Sequence, residues 1–191
     1  METSKTIKEL VKTNRSYRRF YENERISRET LVDLVDTARL TPSAANRQPL
    51  RYKLVTDAAE CEKVYATLGW AGYLKDWDGP EVGERPAAYI VLAGNPAINS
   101  AQDEGIVAQT LLLAAVEKGL GGCMLGNVKK ETLAQALALP EGLAVKLVIA
   151  LGKPKEEIVI DEIRADGDIK YYREANQVHH VPKIALDDLL L

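Results

Sequence analysis

Residues 101–118 constrain the fold more than any other segment, because they are apolar on almost every face between Ile106 and Val116. A helix that is hydrophobic all round is stable only where other protein surrounds it on most sides. We therefore predict a central or interface helix at this position. The chain has 191 residues, of which 46% are hydrophobic and 28% charged. That is enough for one core, or one core shared across a dimer, and we predict a single domain over residues 1–191.

Periodic apolar patterns predict the other regular elements. Helices are predicted over residues 6–12, 58–68 and 129–139. A further helix is predicted to begin at a cap at Ser27 and to end before Pro42. Strands are predicted over residues 51–56, 87–93 and 145–151. Gly119 predicts a helix stop, and residues 121–126 predict a glycine-rich turn. Residues 69–86 contain Gly, Pro and both tryptophans, which predicts an irregular excursion of a length that is often functional.

The last part of the chain, residues 155–191, is polar until a short apolar tail and has too little apolar surface for a core of its own. An arm that packs on another subunit is the simplest interpretation, since a dimer buries what a monomer would expose.

Charge and composition argue against several classes of protein. The net charge of -3 disfavours nonspecific nucleic-acid binding, which needs a basic surface. The sequence holds no stretch of about 20 apolar residues that would span a membrane and no signal peptide at its start, so we expect a cytoplasmic protein. Cys61 and Cys123 are far apart and are predicted to be buried thiols. His179 and His180 are neighbours that point to opposite sides of an extended segment, and no metal site is predicted there.

Residues 14–20 place three arginines, a hydroxyl and an amide together in an acidic protein, which indicates an anion site. Arginine offers a charged fork that matches phosphate, and serine adds a hydrogen bond. The alternative is a solvated charge run, or ion pairs from these arginines to Glu22 and Glu24.

Residues 41–49 are small and amide side chains between two prolines. Asn46 and Gln48 offer paired donors and acceptors that suit the edge of a heteroaromatic ring, and their i, i+2 spacing can place both on one side of a loop. A capping loop whose amides satisfy each other is the alternative.

Two further segments carry weaker signals. Residues 119–126 resemble a dinucleotide fingerprint only superficially, because Met124 replaces the third glycine and the segment follows a helix. Such glycines can present backbone N–H groups to a planar ligand, or serve only the helix exit. Lys183, in the basic segment 179–183, can add a phosphate contact or remain solvated.

Taken in order, these segments resemble the nitroreductase family of flavoproteins over nearly the whole chain. The matching stretches are residues 15–20, 42–49 and 119–126, followed by 139–142 and 151–154. The resemblance implies an α+β fold with a central, mostly antiparallel sheet flanked by helices. It also implies an intertwined homodimer with an extended C-terminal arm and two FMN sites at the subunit interface.

The resemblance also implies roles for particular residues, eleven of them in the FMN site. Arg15, Ser16 and Arg18 belong to the site, with the arginines on the phosphate or on the pyrimidine side of the ring, and Lys183 closes over the phosphate. The other subunit's FMN is reached by Pro42, Ser43, Ala44 and Asn46. The face and N5 edge of the ring are lined by Met124, Leu125 and Gly126. Gln48 belongs to the motif but is expected to lie behind these contacts.

Two positions depart from the family pattern. Asn14 stands where arginine is common, which shifts the expected phosphate contact to Arg15 or Lys183. Leu50 stands where tryptophan is common and is expected to alter packing more than chemistry.

The activity implied by the resemblance is hydride transfer from NADH or NADPH to flavin N5, and then to a small electron-poor acceptor, by a ping-pong mechanism. No protein nucleophile or base is needed, and Arg18 is the candidate for stabilising negative charge near N1 and O2. Flavin fragmentation, reductive dehalogenation and a flavin-binding module without turnover remain alternatives. The excursion at residues 69–86, with Trp70, Tyr73 and Trp77, is expected to shape the substrate space.

Overall fold

A computed structural model of the protein describes residues 5–163 and 167–191, so residues 164–166 of the predicted arm lie outside the described part. The helices are α1 Ile7–Thr13, α2 Arg28–Ala38, α3 Ala58–Tyr65, α4 Ala101–Glu117 and α5 Lys130–Ala136. The strands are β1 Leu50–Val55, β2 Ala88–Gly94, β3 Gly121–Leu125, β4 Ala144–Gly152, β5 Ile158–Glu162, β6 Tyr172–Arg173 and β7 His179–Lys183. Residues 69–86 contain no helix or strand, as predicted.

The main sheet has the strand order β1-β2-β4-β3, and every neighbouring pair is antiparallel. β2 is buried along its whole length, which explains its continuous apolar sequence. Alternate residues of β2 enter two different cores. Ile90 and Leu92 join the side covered by α2 and α4, whereas Tyr89 and Val91 join the side covered by α3 and α5. The predicted α+β fold, with an antiparallel sheet between helices, is confirmed.

The start of α2 shows how local sequence sets an element. The Ser27 hydroxyl accepts a hydrogen bond from the Thr30 backbone N–H at 3.1 Å, as the predicted cap requires. Leu31, Leu34 and Ala38 then bury one face of the helix against α4 and the sheet. Burial of a leucine side chain contributes roughly 1.5–3 kcal/mol, so this stripe fixes the helix in place.

α4 occupies the predicted central position, with most of its residues from Val107 to Val116 buried. Ile106, at the start of the apolar stretch, is 42% exposed. This side chain borders a surface cavity together with Pro42, Ser43 and Ala44. The single chain therefore leaves one apolar edge of α4 uncovered, beside the loop expected to reach a second subunit.

The predicted glycine-rich turn at residues 121–126 is wrong, because Gly121–Leu125 form the edge strand β3. The glycines serve close approach of neighbouring chain segments. A Cβ on Gly121 would lie 2.5 Å from the Tyr17 ring, and one on Gly122 would collide with the Ala150 carbonyl oxygen. The Gly122 carbonyl accepts a hydrogen bond from the Tyr17 backbone N–H at 3.0 Å, which ties the arginine-rich segment to this edge.

Strands β5, β6 and β7 form a second sheet, in which β7 lies between β5, its parallel partner, and β6, its antiparallel partner. The residues that lead into this sheet are tied to the arginine-rich segment, since Phe20 pairs with Pro154 and the Lys155 N–H donates to the Arg19 carbonyl at 3.0 Å. The residues after β7 leave large apolar side chains exposed, namely Ile184, Leu186, Leu189, Leu190 and Leu191. That this arm embraces a second subunit stays a prediction.

None of the helices in the described ranges is long and apolar enough to cross a membrane. Cys61 and Cys123 are buried free thiols, as predicted. Burial raises the pKa of Cys61 to about 11, so this thiol stays protonated at neutral pH.

We expect Gly122→Ala to lower the free energy of unfolding by about 1–3 kcal/mol, because its methyl group has no space between β4 and the Leu112 side chain. Gly126→Ala is the matched control, since a Cβ there meets nothing within 4 Å. Urea unfolding of both variants measures the difference. Equal stability of the two would show that β4 and α4 move apart without cost.

Candidate functional site

Three distant stretches of the chain converge on a cavity of about 330 Å³, named here the basic cavity. The arginine-rich segment forms one wall, α4 and β3 form the floor, and the second sheet forms the opposite wall. Of the eleven predicted FMN-site residues, the basic cavity is lined by Arg15, Ser16, Arg18, Met124 and Lys183.

The other six predicted residues lie elsewhere in the single chain. Pro42, Ser43 and Ala44 border separate cavities beside the start of α4, and Asn46 is exposed. Leu125 is buried in the core, and Gly126 is exposed. Neither of these two residues lines the basic cavity. Within one chain, therefore, five of the residues that the resemblance assigns to the FMN site lie together, whereas the loop at residues 42–46 lies on another surface.

Arg15 is held by the end of the helix that precedes it. Its Nε donates to the Asn14 carbonyl at 2.6 Å, and its Nη2 donates to the Val11 carbonyl at 2.8 Å. Arg15 therefore satisfies terminal carbonyl groups around α1 and keeps only part of its donor set for a ligand. The Asn14 side chain is buried and donates to Gln109 Oε1 on α4 at 3.3 Å, so the residue that departs from the family pattern anchors the segment.

A buried carboxylate, Glu156, organises the wall behind Arg18. It accepts hydrogen bonds from the backbone N–H groups of Arg18 and Arg19, the latter at 3.3 Å. It also accepts one from Arg173 Nη2 at 3.1 Å, in an ion pair whose carboxylate side is fully buried. Charge-assisted bonds of this kind are strong, so Glu156 fixes the backbone that presents Arg18.

Arg19 faces away from the basic cavity and pairs with Glu84. This pairing, together with one from Lys155, lowers the pKa of Glu84 to about 2. The alternative of structural ion pairs is therefore correct for Arg19, with Glu84 as the partner in place of Glu22 or Glu24. Lys153 is the residue that pairs with Glu24, at 2.7 Å.

Arg18 lines the cavity without a carboxylate partner among the described residues. Its Nη1 donates to the Ser16 carbonyl at 3.2 Å, and its guanidinium carbon lies 4.9 Å from the centre of the Tyr171 ring. Because Glu156 is neutralised by Arg173, the charge of Arg18 is left for an anionic ligand.

His179 is a wall residue that the sequence did not assign to this site. Its side chain is buried, and Arg18 Nη1 lies 3.4 Å from its Nε2. Burial, and next the charges of Arg18, Arg173 and His180, lower the pKa of His179 to about 4. The neutral ring must accept at Nε2, since arginine only donates, so the proton sits on Nδ1. Nδ1 is buried and has no hydrogen-bond partner within residues 5–163 and 167–191.

One sequence signal was available for His179. Alternation along β7 buries one histidine of the pair and leaves the other half-buried, as the extended segment predicted. Gln109, Glu156 and Tyr171 carry no local signal, because their roles arise from contacts with distant residues. In the described part of the chain, no cluster of three His, Cys, Asp or Glu side chains is arranged to hold a metal ion.

The loop between Pro42 and Pro49 holds three non-glycine residues in the left-handed region, Ala45, Asn46 and Gln48, with φ of 50°, 52° and 47°. Each costs about 1 kcal/mol, and such strain persists only where neighbours enforce it. Asp103, buried at the start of α4, accepts from the Ala44 N–H at 3.2 Å. Gln48 Nε2 donates to Asn46 Oδ1 at 3.0 Å, so the two amides lie together and satisfy each other in the single chain.

The fold is thus that of an α+β protein, with an antiparallel sheet between two helical layers. At the edge of the sheet lies a cavity that contains a guanidinium without a carboxylate partner in the described part of the chain. The chain belongs to the nitroreductase family, since the family model described as "Nitroreductase family" matches residues 11–74 and 82–153.

Known proteins agree with this assignment. A protein of Archaeoglobus fulgidus named as a candidate NADH dehydrogenase/NAD(P)H nitroreductase is 29% identical over 158 residues, which cover 78% of this chain and 85% of that protein. An iodotyrosine deiodinase of Thermotoga neapolitana is 26% identical over 169 residues, covering 80% and 90%. The solved structure of an FMN-dependent nitroreductase from Clostridium difficile shares the fold, with a TM-score of 0.62 at 22% identity, covering 78% of this chain and 87% of that one.

We expect the native state to lose stability between pH 6.5 and about 4 through His179. The pKa of the folded-state imidazole is depressed, so the unfolded chain takes up the proton first as the pH falls. The full difference between the unfolded-state and folded-state pKa of His179 corresponds to about 3 kcal/mol in the free energy of unfolding.

The measurement is urea unfolding at pH 7 and pH 4, with His179→Gln as the non-titrating variant. The loss of stability between the two pH values should be smaller in His179→Gln than in wild type. An identical pH dependence in wild type and His179→Gln would contradict the assignment.

Proposed function

We propose that this chain is an FMN-dependent NAD(P)H oxidoreductase that reduces an electron-poor acceptor, a nitroaromatic or quinone-like compound, as a cytoplasmic homodimer. The observation that carries the proposal is the basic cavity. Arg15, Arg18 and Lys183 line it and no acidic side chain of residues 5–163 and 167–191 does, although the chain as a whole has a net charge of -3.

The residues present fit a flavin mononucleotide. Its phosphate calls for cations and hydroxyl donors, which Arg15 and Ser16 offer from one wall of the basic cavity and Lys183 from the opposite wall. Its ring calls for a flat apolar contact and for donors at the edge, which Met124 and Arg18 offer. The cavity volume is within the usual range for ligand pockets.

A second copy of the chain would complete this site. Pro42, Ser43, Ala44 and Asn46 do not line the basic cavity of their own chain. The first three lie beside the uncovered edge of α4 at Ile106, where a partner would pack. In the dimer that we propose, this loop reaches the flavin of the other subunit, with its left-handed backbone held by Asp103.

When bound, FMN would supply the redox chemistry, accepting hydride from NADH or NADPH and passing it to the acceptor in a second half-reaction. The chain's task is binding and electrostatics. Arg18 is held by the Ser16 carbonyl and the Tyr171 ring without a neutralising carboxylate, so its charge is preorganised toward negative charge in the cavity. Leu125 and Gly126 would add backbone contacts along the ring, while Met124 shields it from water.

The names of the relatives support both the donor and an alternative. The Archaeoglobus protein's name includes NAD(P)H nitroreductase, which supports a nicotinamide donor. The Thermotoga protein is an iodotyrosine deiodinase, which favours reductive dehalogenation as the second candidate. We infer that residues 69–86 decide between these acceptors.

The test is anaerobic reduction of the purified, FMN-reconstituted protein. Loss of the yellow colour with NADH or NADPH, and its return with menadione, nitrobenzoate or iodotyrosine, would identify the donor and the acceptor class. A protein that keeps its colour with both donors is a flavin-binding module. A colourless protein that cannot be reconstituted would overturn the proposal.

We expect Arg18→Ala to weaken FMN binding by roughly tenfold or more, because a charge-assisted contact is lost from the cavity. Arg28→Ala is the control, since Arg28 is an exposed residue of α2 away from the basic cavity. Fluorescence titration with FMN measures both variants. Unchanged affinity, together with unchanged NAD(P)H-dependent reduction, would remove Arg18 from the site.

A further inference from the structure

Tyr171 is the residue through which the basic cavity contacts the excursion at residues 69–86. On the cavity side its ring lies 4.9 Å from the Arg18 guanidinium and 5.2 Å from the His179 ring. On the other side its hydroxyl accepts a hydrogen bond from the Tyr73 backbone N–H at 3.3 Å. The two tyrosine rings lie 4.9 Å apart. The Tyr171 ring thus contacts Arg18 and His179 in the basic cavity, whereas its hydroxyl contacts the backbone of the excursion at Tyr73.

A second contact fixes the excursion on the same flank. Arg173, two residues after Tyr171, holds its guanidinium carbon 4.6 Å from the Trp77 ring while pairing with Glu156. Residues i and i+2 of an extended segment point to the same side, so the pair meets Tyr73 and Trp77 together. The contacted part of the excursion is therefore held against the wall of the basic cavity at two points.

The position of the excursion makes these contacts relevant to the acceptor. Beyond Tyr171 lies an open groove, lined by Tyr73 and Trp77 from the excursion and by Tyr172 and Arg173 from β6. Aromatic side chains of this kind stack on planar molecules. Movement of the Tyr73 backbone would change the groove directly.

We propose that Tyr171 is a positioning residue with two separable roles, an inference that rests on the proposed function. Its ring holds Arg18 in the cofactor site. Its hydroxyl fixes the backbone at Tyr73 and thereby shapes the space for the electron acceptor. Tyr171→Phe removes only the hydroxyl contact, whereas Tyr171→Leu also removes the aromatic ring from Arg18.

The first test does not depend on activity. Amide hydrogen exchange of the excursion should be roughly three- to tenfold faster in Tyr171→Phe than in wild type, the size expected for loss of one hydrogen bond. Tyr21→Phe, the same change at an exposed tyrosine away from the cavity, should leave this exchange unchanged. Unaltered exchange in Tyr171→Phe would overturn the role of the hydroxyl.

The second test separates cofactor from acceptor. In Tyr171→Phe, FMN affinity and the rate of anaerobic reduction by NAD(P)H should stay within about twofold of wild type, while KM for menadione or nitrobenzoate rises roughly three- to tenfold. In Tyr171→Leu, FMN affinity should also fall, by roughly threefold or more.

The outcomes distinguish this inference from the proposed function. If the wild-type protein neither binds FMN nor oxidises NAD(P)H, the proposed function is wrong. Hydrogen exchange then tests only the contact between the Tyr171 hydroxyl and the Tyr73 backbone. An active wild-type protein whose Tyr171→Phe variant keeps the wild-type KM overturns the inference. Loss of FMN affinity in Tyr171→Phe equal to that in Tyr171→Leu also overturns it, because the roles would not be separable.

Discussion

The buried carboxylate of Glu156 is the interaction on which the arrangement of the site depends. It joins the backbone of the arginine-rich segment to Arg173 and hence to the second sheet. Desolvating a carboxylate is costly, and only a charged partner with several hydrogen bonds offsets that cost. Glu156 has both, so its own charge is neutralised within the wall. The guanidinium of Arg18, one step nearer the cavity, is left unbalanced. A fold that buries this ion pair thereby creates a positive site on an acidic protein.

The main sheet supplies the rigid support for that arrangement. β2 is buried on both faces, and α4 packs against one of them, so neither can shift without opening a core. β3 lies at the edge of this sheet, where glycines let the segment around Tyr17 approach closely. The arginine-rich segment of the site is thus attached to the main sheet, which is the least deformable part of the protein. This explains how a cavity assembled from distant segments can keep a defined geometry.

The sequence predicts most of the fold because periodicity is a local signal. The structure confirms the helix cap at Ser27, the apolar stripe of α2 and the buried runs of β2 and β4. β3 was missed because glycine has little intrinsic preference for strands, and its pairing with β4 is a long-range contact. For the site, five of the residues that the resemblance assigned line one cavity in the structure: Arg15, Ser16, Arg18, Met124 and Lys183. Glu156, Tyr171 and His179 could not be found this way, because burial and distant partners give them their properties. Pro42, Ser43, Ala44 and Asn46 were predicted to reach the flavin of another subunit, a contact that a single chain does not contain.

The left-handed backbone at Ala45, Asn46 and Gln48 restricts how this protein can diverge. Valine, isoleucine and threonine crowd their own backbone in that conformation, whereas glycine, asparagine and aspartate tolerate it. Sequence drift in the loop is therefore filtered by backbone shape before any ligand is considered. Mutations accepted here would come from a short list of residue types, and the loop would change more slowly than its exposure to solvent suggests.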